Sequence, residues 1–339
     1  MTFRMPPEWA PHERTWMAWP RPNPTFTTGA ELAEARTAWA EVARAIGRFE
    51  PVTMVHAPGD AASARELLGP AVELTEGDLD DAWMRDIGPT FVQDEDGSLA
   101  AVDWVFNGWG GQDWARWEHD AGIARHVAGL AGVPVHSSPL VNEGGAIHVD
   151  GEGTVLLTDT VQLGAGRNPG WSREQVEAEI HARLGTTKAI WLPHGLAGDY
   201  GTYGTQGHVD IVAAFAGPGT VVVHSQRNPG HPDHARSLEY LEILRDATDA
   251  RGRRLEVVEV PAPTVLKDDD GHWADYSYIN HYVCNGGVVL CAFDDPHDEI
   301  AAGIMRRLYP GRTVTLVDAR TIFAGGGGIH CITQQQPKH

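Results

Sequence analysis

Residues Gly145-Ala146-Ile147-His148-Val149-Asp150-Gly151-Glu152-Gly153-Thr154-Val155-Leu156-Leu157-Thr158 carry the pattern that decides the fold. Two runs rich in apolar and β-branched residues flank a glycine-rich turn, and this pattern predicts a β-hairpin. A helical stretch at Ser172–Leu184 and a short apolar strand at Ala189–Leu192 follow the hairpin. The segment therefore predicts a unit of strand, strand, helix and strand.

The same unit recurs along the chain, about every 60–70 residues. Three further copies each consist of a hairpin, a helix and a strand. One comprises Gly88–Ala101, Trp114–Leu130 and Val133–His136, and another comprises His208–His224, Asp233–Ala250 and Leu255–Val260. The third comprises Tyr276–Phe293, Pro296–Tyr309 and Val314–Val317. A fifth copy forms if a strand at Cys331 pairs with Thr15–Trp19, which precedes a helix at Ala30–Phe49 and a strand at Val52–His56. Five such units predict a closed α/β array in which each unit buries its apolar face against the next, with residues 1–339 as one domain.

The composition limits the kinds of partner. The chain has 46 acidic and 26 basic residues, a formal net charge of −20. This balance argues against nucleic acid and anionic membranes as partners and suits a cationic ligand. The sequence shows neither a signal peptide nor an apolar run of membrane-spanning length, and Cys284, Cys291 and Cys331 do not form a disulfide framework. We therefore expect a soluble, cytoplasmic protein.

Polar residues lie at equivalent points of different units. Asp86 precedes the first hairpin, Glu143 precedes the second, His208 and Asp210 open the third, and Cys331 lies in the last copy. If the units are related by pseudo-rotation, these five side chains converge at one end of the central axis. Each residue taken alone has a structural explanation, such as a surface acid, a turn acid or a core histidine. Their coincidence across repeats favours a functional site.

A cysteine, a histidine and three carboxylates predict nucleophilic catalysis on a cation. Carboxylates near a thiol raise its pKa, so they make sense if they grip a planar cation such as a guanidinium. Glu143 would orient His208 and favour its protonated form. Zinc is the weaker alternative, because these residues lack the paired local spacing of zinc ligands. His231 and His234 have a spacing compatible with a metal, but the sequence favours no metal.

The chain resembles the agmatine deiminases, in the bacterial peptidylarginine-deiminase branch of the guanidine-modifying enzymes. The matching stretches are Met5–Trp9, Pro11–Glu13, Trp83–Phe91, Phe106–Gly111, Glu143–Thr154, Arg167–Pro169, Gly207–Asp210, Ser277–Asn280 and Gly327–Pro337. They span nearly the whole chain, and the terminal Gly-Ile-His-Cys-Ile-Thr-Gln-Gln-Gln-Pro is specific. The resemblance implies the pentein fold, a five-bladed α/β propeller.

The resemblance also implies a role for each candidate residue. Cys331 would be the nucleophile and His208 the general acid and base, with Glu143 in support. The residues implied to bind substrate are Asp86, Asp210, Trp83, Trp109 and Gly328. The implied reaction is hydrolysis of agmatine to N-carbamoylputrescine and ammonia through a thiouronium intermediate on cysteine. It needs no metal or organic cofactor, its partner is a small cationic guanidine, and the family suggests a homo-oligomer.

One segment departs from the family pattern. Residues 199–206 place Gly204 where agmatine deiminases carry an acid near the amine end of the substrate, and Asp199 is a candidate substitute. Tyr200 and Tyr203 would offer aromatic faces to a cationic amine or to a bulkier tail. The alternatives are therefore deimination of another guanidine (arginine, a guanidino acid or peptidyl-arginine), amidino transfer, and non-catalytic guanidine binding.

Overall fold

The computed structural model describes residues 3–267 and 271–339, so the acidic run Asp268–Asp270, predicted to lie in a surface loop, falls outside the described residues. The strands of the described residues are β1 (His12–Ala18), β2 (Val52–His56), β3 (Glu73–Glu76), β4 (Thr90–Gln93), β5 (Leu99–Val105), β6 (Val135–Val141), β7 (His148–Val149), β8 (Thr154–Thr158), β9 (Lys188–Leu192), β10 (Ala213–Gly217), β11 (Thr220–Ser225), β12 (Glu256–Pro261), β13 (Tyr282–Cys284), β14 (Gly287–Ala292), β15 (Thr313–Asp318) and β16 (Gln334–Pro337). The helices are α1 (Gly29–Ile46), α2 (Ala61–Leu68), α3 (Met84–Ile87), α4 (Gly108–Gly111), α5 (Ile123–Ala131), α6 (Asp159–Gln162), α7 (Arg173–Leu184), α8 (Pro232–Asp246), α9 (Asp298–Leu308) and α10 (Arg320–Ala324). Short 3₁₀ turns lie at Asp120–Gly122, Gly144–Ala146, Gly198–Tyr200 and Val209–Ile211.

Four sheets among the described residues share one topology. Their strand orders are β4-β5-β6, β7-β8-β9, β10-β11-β12 and β13-β14-β15. In each sheet the first two strands form an antiparallel hairpin, and the third strand lies parallel to the second after a helical crossover. The structure therefore confirms the predicted α/β unit of strand, strand, helix and strand.

The fifth sheet joins the two ends of the described chain. Its order is β16-β1-β2-β3, and β16 runs antiparallel to β1 with Trp16 opposite Gln334. The predicted pairing of the ends is confirmed, but the prediction that the strand includes Cys331 is wrong. Residues before Gln334 form local turns instead, because the Thr333 hydroxyl donates to the carbonyls of Ile329 and His330 at 3.0 and 3.1 Å. The strand β3 and its helix α2 were not predicted.

The long helices agree with prediction except for α5. The predicted capping box at Ser172 and Gln175 is present at the start of α7. Helix α5 begins at Ile123 rather than at Trp114. The Trp114 ring instead stacks on Trp109 at 5.4 Å, so this tryptophan belongs to a loop over the candidate site.

Each of four helices connects its own unit to a neighbour. Helix α7 packs against β6, α8 against β9, α9 against β12, and α1 against β15. One apolar cluster includes buried residues from strands of all five sheets. Among the described residues, no helix combines the length and the apolar character needed to cross a membrane.

Candidate active site

The structure brings the five predicted residues together. Asp86 lies in α3, Glu143 follows β6, His208 and Asp210 precede β10, and Cys331 precedes β16. All five are buried, and none is more than 5% exposed. Imidazole Nε2 of His208 lies 3.4 Å from Glu143 Oε2, and its Nδ1 lies 3.8 Å from Asp86 Oδ1. The sulfur of Cys331 lies 3.7 Å from Asp210 Oδ2.

Two carboxylates hold His208 in its protonated form. Burial alone would lower its pKa, but Asp86 and Glu143, followed by Asp210, raise the pKa of His208 to about 9. Glu143 stays ionised, because Arg167 and His208 lower its pKa against the effect of burial. The Arg167 Nε–H group donates to both Glu143 oxygens at 2.9 and 3.0 Å. His208 can therefore supply a proton at neutral pH.

Asp86 is held from two sides by neutral donors. The backbone N–H of Gly145 donates to Asp86 Oδ1 at 3.0 Å, and the Trp109 indole N–H donates to Oδ2 at 2.9 Å. Burial raises the pKa of Asp86, and the charge of His208 opposes part of that rise. A bound cation would favour the ionised form of this carboxyl group.

The candidate nucleophile lies between polar groups. The Asn280 amide nitrogen is 3.3 Å from Cys331 Sγ, and Asp210 is on another side. Burial, and then the carboxylates of Asp210 and Asp86, raise the pKa of the Cys331 thiol well above its ordinary value. The raised thiol pKa agrees with the direction expected from the sequence. An arriving cation would offset both carboxylates and favour the thiolate.

Glycines leave open the space between these side chains. A Cβ atom on Gly145 would lie 2.5 Å from His208 Nδ1 and 3.0 Å from oxygens of Asp210 and Asp86. A Cβ atom on Gly327 would lie 3.0 Å from Cys331 Sγ. The predicted substrate contact Gly328 instead lies against Asn280 and Phe323. Gly145 and Gly327 are therefore the glycines that border the reacting groups.

Two side chains at this space each keep one buried polar atom without a hydrogen-bond partner among the described residues. The atoms are His208 Nδ1, which borders this space, and Oδ1 of Asp210, whose other oxygen, Oδ2, borders it. Buried polar atoms in native proteins are normally hydrogen-bonded, so unpaired ones need an explanation. A proton donor at His208 and an acceptor at Asp210, beside a thiol, suit a ligand that carries N–H groups and positive charge.

Two predicted pocket tryptophans border the site. Trp83 is buried and packs edge-on against Trp39 at 5.5 Å, next to Gly327. Trp109 has the left-handed backbone angle φ 55°, which is unusual for a residue other than glycine. One side of Trp109 contacts Asp86, while the residue also lines an outer cleft with Trp114, Tyr200, Gln206, Asp113 and Asp159.

The segment 199–206 does not present a free acid. Asp199 is buried, and its carboxylate accepts hydrogen bonds from the backbone N–H groups of Thr205 and Gly207 at 2.6 and 2.5 Å. It also accepts from the Thr205 hydroxyl at 2.8 Å. The interpretation of Asp199 as a substitute acid for a substrate amine is therefore wrong, because its acceptor sites stabilise the turn. The Tyr203 hydroxyl donates to Pro24 O, at 2.9 Å.

Sequence reasoning assigned no role to several residues of the site. They are Glu8, Gly145, Arg167, Asn280 and His330. Each of them lies inside a stretch that carries the family resemblance, which is the signal that could have identified them. Their partners are far away in sequence, so no local pattern predicts the contacts.

The metal alternatives find no support at Cys331. Within residues 3–267 and 271–339, only Glu8, His148 and His330 lie close enough together to hold one ion. His231 and His234 do not form such a group: His231 Nδ1 accepts from Asp233 N at 3.1 Å, and His234 Nδ1 lies 2.9 Å from Gln226 O.

Known proteins with similar sequences and structures match the chain over its length. A Streptomyces coelicolor protein, provisionally named an agmatine deiminase, is 85% identical over 338 residues, covering 100% of both chains. The agmatine deiminase of Stutzerimonas stutzeri is 42% identical, covering 99% of this chain and 95% of its own. The solved agmatine deiminase of Enterococcus faecalis is 33% identical with a TM-score of 0.93, covering 99% of this chain and 96% of its own.

These matches identify the class of the protein as guanidine-modifying hydrolases, which act on C–N bonds of linear amidines. The stretches that carry the family resemblance include the residues of the buried site. A family model, described as Porphyromonas-type peptidyl-arginine deiminase, matches residues 4–337. The chain belongs to this family.

Proposed function

We propose that this protein hydrolyses agmatine to N-carbamoylputrescine and ammonia, through an intermediate on Cys331. The proposal includes the fold: the five sheets form a five-bladed α/β propeller of the pentein type, and residues 1–339 form one catalytic domain. Agmatine deiminases at 42% and 33% identity support the substrate. The observation that carries the chemistry is that His208 and Asp210, which border the space beside the Cys331 thiol, each keep one buried polar atom, Nδ1 and Oδ1, without a hydrogen-bond partner among the described residues.

The first half-reaction breaks one C–N bond. Asp86 and Asp210 accept hydrogen bonds from the guanidinium, whose charge lowers the thiol pKa and releases the Cys331 proton. The thiolate attacks the guanidino carbon and forms a C–S bond. Protonated His208 gives its Nδ1 proton to the departing nitrogen, so ammonia leaves and an S-linked amidino (thiouronium) group remains.

The second half-reaction adds water. His208, now neutral, takes a proton from a water molecule as that water attacks the amidino carbon. Collapse of the adduct breaks the C–S bond and forms the ureido product, and the proton of the added hydroxyl passes to the departing sulfur and restores the Cys331 thiol. The released ammonia takes up the proton that Cys331 lost to solvent in the first half-reaction. The sum is cationic agmatine plus water giving N-carbamoylputrescine plus ammonium. The Glu143 carboxylate favours the protonated form of His208, so the ring regains a proton readily in the second half-reaction. The ion pair with Arg167 fixes this carboxylate beside the ring.

The aminobutyl chain would extend into the outer cleft. Trp109 and Arg167 each contact the buried carboxylates and also line this cleft, so it adjoins the reacting groups. Stacked rings of Trp109 and Trp114 offer aromatic faces to an ammonium group, and Asp113 supplies a nearby negative charge. This arrangement would replace the acid that the family carries at the position of Gly204.

Another guanidine is the second candidate substrate. The observation that favours it is the engagement of Asp199 within its own turn, which leaves segment 199–206 without a free acid. An assay of ammonia and ureido product from agmatine, arginine, guanidino acids and a peptidyl-arginine distinguishes the candidates. We expect the highest kcat/KM with agmatine. A higher kcat/KM with a guanidine that has an acidic or neutral tail would contradict the proposal that agmatine is the substrate.

The same assay separates the other classes of function. An amidinotransferase would release ureido product slowly and form a new guanidine when an acceptor amine is added. A non-catalytic binding protein would bind guanidines and release no ammonia. Either outcome would contradict the proposed hydrolysis.

A further inference from the structure

A buried chain of charged groups connects Asp210 to the N-terminal segment. The Nδ1 atom of His330 lies 2.7 Å from Asp210 Oδ2, and the Nε2 atom of His330 lies 2.8 Å from Glu8 Oε2. Glu8 is 6% exposed, His330 3% and Asp210 1%. A histidine can donate through both ring nitrogens only as an imidazolium. The two carboxylates therefore define His330 as a buried cation.

The surroundings of His330 agree with that assignment. The titratable and charged groups around it are Glu8, Asp210, Arg85, His148, His281 and Tyr309. Burial and the Arg85 charge oppose protonation, but Glu8 and Asp210 outweigh them and raise the pKa of His330. Burial lowers the pKa of His148 to about 3 and also lowers the pKa of His281, so both are neutral. His330 is the imidazolium of this cluster.

A metal ion fits the same cluster poorly. Glu8, His148 and His330 are close enough for one ion, but a histidine ligand needs a free nitrogen lone pair. Both nitrogens of His330 already face carboxylates. The Phe215 backbone N–H donates to His148 Nδ1 at 3.2 Å, so the neutral His148 carries its proton on Nε2, the atom that faces Glu8. Neither histidine offers a lone pair to a cation.

We infer that Glu8 and His330 form a positioning pair that fixes Asp210 for the guanidinium. His330 holds Asp210 Oδ2, the oxygen that lies 3.7 Å from Cys331 Sγ, and Oδ1 of the same carboxylate has no hydrogen-bond partner among the described residues. Glu8 is fixed in turn, because its Oε1 accepts the Val283 backbone N–H at 2.7 Å. The imidazolium also places a positive charge one residue before Cys331, where it offsets part of the repulsion between Asp210 and a thiolate. This inference rests on the proposed deiminase function.

The protonation of His330 can be measured without any substrate. Protein labelled with ¹³C and ¹⁵N in histidine, compared with a His330→Gln variant to assign the signal, reports both ring nitrogens by NMR. We expect both nitrogens of wild-type His330 to carry protons at pH 7.5, above the ordinary histidine pKa of about 6.5. A singly protonated His330 at pH 7.5, or a stoichiometric metal ion in the purified protein, would overturn the inference.

The variant Glu8→Gln tests the functional consequence. The glutamine carbonyl oxygen can still accept the Val283 N–H, while the amide N–H₂ then faces His330 Nε2 and favours the neutral ring. We expect kcat/KM for agmatine to fall about ten- to hundredfold, the magnitude of one charged hydrogen bond. We also expect the thiol pKa of the free enzyme to rise, seen as slower alkylation of Cys331 at a given pH. A structural role alone would leave that pH profile unchanged.

The matched control is Glu50→Gln. Glu50 is also a buried glutamate paired with a histidine, since its Oε1 lies 3.1 Å from His12 Nδ1. The hydrogen bonds of its carboxylate among the described residues are to His12, Thr15, Tyr282 and Asn285, and its one link to Glu8 is through His12 Nε2, which lies 2.8 Å from the Glu8 backbone carbonyl rather than from its carboxylate. Both variants should lose thermal stability, and only Glu8→Gln should change kcat/KM and the thiol titration. Equal kinetic effects in the two variants would contradict the positioning role. If Glu8→Gln does not fold, the NMR measurement on wild type decides the inference. A wild type without ammonia release from any guanidine would instead contradict the proposed function.

Discussion

Replacing Glu143 with glutamine tests the proton switch at His208 most directly. Glutamine keeps the shape of glutamate, and its carbonyl oxygen can still accept from Arg167 Nε, which donates at 2.9 Å in the wild type. The amide lacks the negative charge that lies 3.4 Å from His208 Nε2. We therefore expect the pKa of His208 to fall from about 9 towards its ordinary value.

The size of the effect follows from the neighbours of His208. An opposite charge at this distance in a buried site shifts a pKa by about 1 to 3 units, and Asp86 and Asp210 remain to hold part of the shift. A fall of about 2 units corresponds to about 2.7 kcal/mol of lost interaction with the protonated ring. At pH 8 the protonated fraction would then fall from about nine-tenths to about one-tenth. The step that expels ammonia should slow about tenfold at that pH.

The assay is the pH dependence of ammonia release. Because the raised pKa keeps the acid form available until the pH passes about 9, the alkaline limb of the wild-type profile should lie near that pH. In Glu143→Gln the same limb should move to about pH 7, and activity should recover partly at lower pH. Histidine NMR on the same variant gives the His208 pKa independently. A limb that stays near pH 9 while the rate falls equally at all pH values would refute this reasoning.

Three further substitutions test the rest of the site. Cys331→Ala should abolish ammonia release and leave the circular dichroism spectrum and thermal unfolding unchanged. Mass spectrometry of the quenched wild-type reaction should find the amidino adduct on Cys331. An adduct on Cys284 would exclude Cys331 as the nucleophile. Asp86→Asn should weaken guanidine binding by about tenfold or more and lower the thiol pKa, measured by alkylation with a neutral reagent against pH; an unchanged titration would contradict the repulsion between the two groups. Gly145→Ala should reduce kcat/KM strongly and lower thermal stability to a smaller extent, since its Cβ would lie 2.5 Å from Nδ1 of the buried His208 and the ring must shift; wild-type turnover would show that the space is not used.

The repeating unit was predictable because it depends on local patterns. Turn residues such as Asp150–Gly153 and the capping box at Ser172 act within a few residues, and all four predicted hairpins are present. The equivalence of the units then placed Asp86, Glu143 and Cys331 near one another before any distance was known. Strand β3 escaped prediction because two of its four residues are exposed glutamates and the two between them are only partly buried.

Contacts between distant segments could not be predicted in this way. His330 precedes the candidate nucleophile, but its partner Glu8 lies 322 residues away, and nothing in either neighbourhood specifies the other. Asp199 shows the opposite error. Its position in segment 199–206, which departs from the family pattern, suggested that its carboxylate binds a substrate amine. The oxygens of that carboxylate instead accept hydrogen bonds from backbone N–H groups of the same turn. Whether an acid serves the backbone or a ligand depends on its three-dimensional neighbours.

The pairing of β1 with β16 has a consequence for how the protein is made. The ribosome makes Glu8 and β1 before the other strands of the described fold, but β1 lacks its antiparallel partner until residues 334–337 have emerged. The thiol is also made late, because Cys331 precedes β16 by three residues. A nascent chain that stops between Asp210 and Cys331 carries the buried acids without the nucleophile, and its sheet of β1, β2 and β3 has an open edge at β1. Catalytic competence and closure of the fold therefore arise together, at the end of translation of this segment.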